Sequence, residues 1–75
     1  MFINMAKAKK GQSCVIREIN GEPGFLSRIF SQGLTPGTRV RIKQAGGGMP
    51  LLIQAREATL AVNSQEAQGI SVEVL

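Results

Sequence analysis

The seven residues Thr38-Arg-Val-Arg-Ile-Lys-Gln44 alternate polar with apolar at almost every step. Strand side chains point to opposite faces with period two, so Val40 and Ile42 share one face while Arg39, Arg41 and Lys43 share the other. On a helix, residues two apart do not face each other, and this separation of cations from aliphatics would be lost. A turn signal precedes the run. In Leu34-Thr-Pro-Gly37 the proline sets φ and the glycine accepts positive φ, which predicts a type II turn.

The rest of the chain repeats this pattern on a short scale. Gly11–Asn20 holds a strand in which Val15, Arg17 and Ile19 alternate with Cys14, Ile16 and Glu18. Asn20-Gly21 marks a turn, and Ala45-Gly-Gly-Gly-Met-Pro50 a flexible loop. Leu51–Ala55 reads as a third strand, Arg56-Glu57 as a tight connection, and Ala58–Val62 as a fourth strand. Asn63–Gly69 is a polar turn with one turn of helix capped by Asn63 or Ser64. Ile70–Leu75 closes as a fifth strand, with Ile70, Val72 and Val74 on one face.

One segment breaks the period. In Glu22–Gln32, Phe25 and Ile29, and Leu26 with Ile29 and Phe30, are spaced at three or four, predicting a helix of about two turns. Pro23 suits its first turn and Gly33 its termination. Five short strands with one short helix after the first give a mainly β fold, a small and highly bent antiparallel barrel. The barrel is assigned to residues 11–75. Residues 1–10, with Lys7, Lys9 and Lys10, read as a flexible basic leader.

Composition closes several function classes. There is no His and no Asp, one Cys and five Glu, so neither a Ser-His-Asp nor a Cys-His triad can be assembled, and no enzyme is expected. One cysteine makes no internal disulfide. No apolar run nears the ~20 residues of a membrane span, and the order of apolar then basic residues at the N-terminus is the reverse of a signal peptide's. The cytoplasm is the expected compartment. The net charge of +4 permits anionic partners such as nucleic acid, a membrane surface or an acidic protein face.

Four features are candidates for function. Cys14 and the scattered Glu residues make a poor metal site within one chain, and Cys14 is expected in the core. Gly46-Gly-Gly48 is followed by Met49-Pro50 rather than the Lys-Ser/Thr of a phosphate loop, and reads as a hairpin tip. Arg39, Arg41 and Lys43 form a positive ridge suited to an acidic partner face or, alternatively, to nucleic acid. The ridge carries no aromatic for base stacking, which disfavours nucleic acid. Phe25, Leu26, Ile29 and Phe30 are more large apolar residues than a short helix needs for a small core. Leu26 and Ile29 are expected to pack inward with one Phe, leaving a second Phe and Leu34 as surface anchors. The candidate contact residues are therefore Phe25, Leu26, Phe30, Leu34, Pro36, Arg39 and Arg41, with Gly33, Pro36 and Gly37 shaping the backbone.

Taken in order, Leu26-Ser-Arg-Ile-Phe-Ser-Gln-Gly-Leu34, Thr35-Pro-Gly-Thr38, Pro50-Leu-Leu-Ile53, Ala58-Thr-Leu-Ala-Val62, Glu66-Ala67 and Ile70-Ser-Val72 resemble the FeoA family of the bacterial ferrous-iron uptake system. The resemblance implies an SH3-like barrel, similar also to the C-terminal domain of DtxR-type metal-dependent repressors. It implies a non-enzymatic role in Fe(II) uptake through contact with the cytoplasmic GTPase region of the FeoB transporter, and hence a place at the inner membrane only through that partner. No tightly bound cofactor is expected, Fe(II) being associated with the family rather than with residues of this chain. Gly48-Met49-Pro50 departs from the Gly-Asp-Pro found in many relatives. Homo-oligomerisation, and metal held by Cys14 or Glu residues shared between chains, stay open.

Overall fold

The computed structural model describes all residues, 1–75. Strands are β1 (Phe2–Asn4), β2 (Ser13–Ile19), β3 (Arg39–Gln44), β4 (Leu51–Ala55), β5 (Ala58–Val62) and β6 (Ile70–Val74), with helices α1 (Pro23–Ser31) and α2 (Ser64–Ala67). All six strands belong to one antiparallel sheet in the order β1-β6-β2-β3-β4-β5. A nine-residue helix and a four-residue one cannot cover the apolar face of six strands. The sheet therefore curls so that its inner faces pack on one another, and the molecule measures 27 × 25 × 23 Å. Seventeen buried residues make a single cluster with no buried polar or charged side chain. Each fully buried Ile, Leu or Val contributes about 1.5–3 kcal/mol.

The alternation in β3 appears as read: Val40 and Ile42 are buried, Arg39, Arg41 and Lys43 exposed. In β2 the regular alternation fails halfway. A bulge between Ile16 and Glu18 shifts the register against β6, so Cys14 and Ile16 face the core but so, beyond the bulge, does Ile19, opposite Ile70. An extra residue in one strand reverses the facing of everything after it. Asn63 caps α2 through a reciprocal capping box, its side chain accepting from Glu66 N–H at 2.7 Å while Glu66 Oε1 accepts from Asn63 N–H at 3.2 Å.

Residues 1–10, read as a flexible leader, are built into the barrel instead, and supply the sixth strand. Phe2, Ile3 and Asn4 pair with Glu73, Val72 and Ser71 of β6. Asn4 then caps a short 3-10 turn at Met5–Lys7, accepting from Ala6 N–H at 2.9 Å, and its amide donates to the Gln68 carbonyl at 2.9 Å. Met5 is fully buried and Ala8 nearly so; the three lysines remain at the surface.

Candidate functional site

The segment from α1 to β3 carries most of the candidate contact residues. Pro23 occupies the first turn of α1, and Phe25 and Ile29 pack into the core. The helix ends in a Schellman motif: Leu34 N–H donates to Ile29 O at 3.1 Å and Gly33 N–H to Phe30 O at 3.0 Å. Gly33 takes φ 85°, the left-handed conformation this closure requires. The motif presses Leu34 back against the helix end, and Leu34 is fully buried. The expectation of Leu34 as a surface anchor is corrected on that ground. Of the residues expected inward, Ile29 and one Phe, Phe25, are buried, Leu26 is half-buried and packs against the core, and the second Phe, Phe30, is 46% exposed. Phe25, 8% exposed, offers a partner almost nothing.

Thr35–Thr38 forms the expected type II turn, with Thr38 N–H donating to Thr35 O at 3.0 Å and Gly37 at φ 95°. Two backbone bonds hang the turn on β2: Gly37 N–H to Ile16 O at 2.6 Å, and Ile16 N–H to Thr38 O at 2.9 Å. Pro36 is exposed on this anchored loop. The chain passes from it directly into Arg39 and Arg41. The two salt bridges of the molecule lie elsewhere, Arg17–Glu73 at 2.6 Å and Arg28–Glu66 at 3.0 Å, so the cations of β3 have no internal counter-charge. A half-buried hydrophobe, an exposed aromatic, a stiff turn and unpaired guanidinium groups thus follow one another along residues 26–41.

A groove was not foreseen from sequence. It has a volume of about 540 Å³ and runs between the start of α1 and α2, with Phe25 as its apolar wall and the Arg28–Glu66 pair within it. Arg28 also lies over the Phe25 ring, 5.6 Å from its centroid. A cap at Asn63 or Ser64 is visible in sequence, but the pairing of Arg28 with Glu66 joins residues 38 positions apart.

Cys14 is fully buried, and burial pushes its thiol above the ordinary value of 9.0. The fold favours the neutral thiol, so this contribution to stability is complete below pH about 9 and is lost as pH rises through the raised native value. Labelling by a thiol reagent is expected to be at least about a hundredfold slower in the native protein than in denaturant, since it requires opening of the core. Prompt stoichiometric labelling would contradict that burial. No three Cys or Glu side chains gather into a group able to hold a metal ion. No helix is long and apolar enough to cross a membrane.

The family model described as the FeoA domain matches residues 3–74. The chain belongs to the FeoA domain family. That match begins within β1, in keeping with its place in the sheet. A relative from Methanocaldococcus jannaschii, provisionally named Fe(2+) transport protein A, is 26% identical over 92% of this chain and 83% of its own. Among solved structures, the FeoA of Stenotrophomonas maltophilia, described as a procaryotic SH3 domain protein and complexed with zinc, superposes with a TM-score of 0.82 at 24% identity, covering 95% of this chain and 89% of that one. A manganese-dependent transcriptional repressor shares the FeoA fold with a TM-score of 0.88 at 21% identity, over 99% of this chain and 42% of the repressor. The SH3-like fold and its occurrence within a metal-dependent repressor thus agree with what the sequence resemblance implied.

Proposed function

We propose that this FeoA protein is a non-catalytic accessory factor of ferrous-iron uptake that acts in the cytoplasm by docking on the GTPase region of FeoB. The docking surface is the run from Leu26 and Phe30 over Pro36 to Arg39 and Arg41. Fe(II) is the cargo of the system rather than a ligand of this chain. Family membership and the name of the archaeal relative support the association with iron transport. The observation that carries the choice of surface is Phe30: a large aromatic, 46% exposed on a helix whose Phe25 and Ile29 are buried. A large aromatic exposed on a helix is of the residue type that dominates interface hot spots.

Calorimetric titration against the FeoB GTPase region tests this. Phe30→Ala is expected to lower affinity about thirtyfold, the usual loss for a hot-spot aromatic of ~2 kcal/mol. Arg39→Gln is expected to reduce the salt dependence of binding, because exposed charges act through a screened field. The same affinity for wild type and a folded Phe30→Ala variant would place the interface elsewhere. Absence of any binding by the folded wild type would remove the FeoB reading itself.

A further inference from the structure

The ridge of β3 has a neighbour that the linear sequence conceals. Arg41 pairs with Ser13 of β2 on one side and with Gln54 of β4 on the other. Carrying the β3–β4 register two residues further brings in Arg56, and Ser13, Arg39, Val40, Arg41, Gln54 and Arg56 together line one open depression of about 250 Å³. Three arginines thus border a single small hollow, with Gln54 and Ser13 beside them. No carboxylate lines the hollow, and neither salt bridge of the molecule involves these arginines. Uncompensated like charges repel one another, an arrangement that an anion relieves.

The position of Arg56 adds to this. It stands in the two-residue connection between β4 and β5 with φ 57°, the one non-glycine residue of the chain in the left-handed region. Glycine is the residue that tight hairpins favour at positive φ. This chain instead holds a guanidinium there, at the rim of the hollow.

We propose that this depression is a binding site for a phosphate-type oxyanion. Guanidinium forks match the oxygens of both carboxylates and phosphates. Three of them around one hollow suit the near-double charge and three terminal oxygens of a phosphate monoester better than the single charge and two oxygens of a carboxylate. The size agrees: about 250 Å³ lies below the ~300–1,000 Å³ of ordinary small-molecule pockets, so it admits the phosphate group and leaves the body of its carrier outside. That group comes either from a soluble phosphate compound or from a lipid headgroup. The site shares Arg39 and Arg41 with the proposed docking surface but rests on their grouping with Arg56, which that surface does not include.

The test is an amide NMR titration of the whole chain with inorganic phosphate, against acetate at matched ionic strength, on wild type and Arg56→Gln. Phosphate is expected to give saturable shifts centred on Ser13, Arg41, Gln54 and Arg56, acetate to give weaker ones. Arg56→Gln, at an exposed position, is expected to weaken phosphate about tenfold without changing the fold, as loss of a charge-assisted contact does. Sedimentation with phosphatidylcholine vesicles, with and without phosphatidic acid, separates the sources. Binding that requires phosphatidic acid and is lost in Arg56→Gln assigns a headgroup, and phosphate binding without vesicle binding assigns a soluble compound. Shifts spread evenly to Lys7, Lys9 and Lys10, equal response to acetate, or an undiminished Arg56→Gln titration would overturn the proposal. So would preferential binding of a single-stranded oligonucleotide, which would make the ridge a polymer track.

Discussion

A chain that starts at Lys9 is expected to lose its cooperative thermal transition. Such a truncation removes β1, leaving the outer edge of β6 unpaired, and takes Met5 out of the middle of the core. Loss of a buried Met side chain alone costs about 2–5 kcal/mol. A domain of this length is stabilised by roughly 4–11 kcal/mol in total, so the strand and the methionine together consume most of it. Met5→Ala in the full chain separates the two contributions and is expected to lower the melting temperature sharply while leaving β1 in place. Phe2→Ser is the contrasting control, since Phe2 is 65% exposed and contributes little to burial. Circular dichroism melts on the three variants decide the matter. A truncated chain melting within a few degrees of wild type would mean that the segment is a dispensable leader after all.

The second large effect is expected at Gly69, between α2 and β6. Asn20 N–H donates to Gly69 O at 2.8 Å and Gly69 N–H donates to Glu66 O at 3.1 Å, so the backbone is pinned from two sides. A Cβ placed at Gly69 would sit well inside the contact radius of the Asn20 carbonyl oxygen, and its next neighbours, Asn20 C and Glu66 O, are also backbone atoms. Backbone has no alternative rotamer, so the methyl is accommodated only by breaking the β2–β6 junction. Gly69→Ala is expected to destabilise by about 3 kcal/mol, at the upper end of overpacking effects. Gly24→Ala should move the other way. Its Cβ meets nothing within 4 Å, and alanine is favoured over glycine inside a helix by up to about 1 kcal/mol. Denaturant melts of the pair give opposite signs if the junction is as tight as described; a neutral Gly69→Ala would show that β2 and β6 can part without loss.

How much of this the sequence discloses follows from the range of the interactions. The β3 alternation, the Pro36-Gly37 turn, the α1 boundaries and the capping of α2 by Asn63 or Ser64 are set by residues within four positions of one another, and each is readable. Strand β1 is not. It has three residues, and its pairing partners Ser71–Glu73 lie at the far end of the chain. The nearby lysines draw attention to solvent while Met5 turns inward. The local clues were Asn4, suited to cap a turn, and apolar residues at 2, 3 and 5 that a solvated leader would not need. Leu34 was misplaced because the Gly33 closure folds it back against Ile29, a geometry that glycine permits but does not announce. For the candidate contact surface, Arg39 and Arg41 were visible as a stripe, whereas Arg56 joins them only through the register of β4.

The strand order also constrains the sequence of events in folding. Strand β6 lies between β1 and β2, so both early strands wait for a partner that is made dozens of residues later. During synthesis, a nascent chain ending before Ile70 can close the β2-β3-β4-β5 meander but has nothing to join β1 to the rest of the sheet. Joining β1, and the second edge of β2, to the sheet thus depends on contacts between segments far apart in the chain, the kind of contact that slows the folding of small β proteins. Until β6 arrives, β1 has no strand partner and one edge of β2 stays open, although its other edge can already pair with β3.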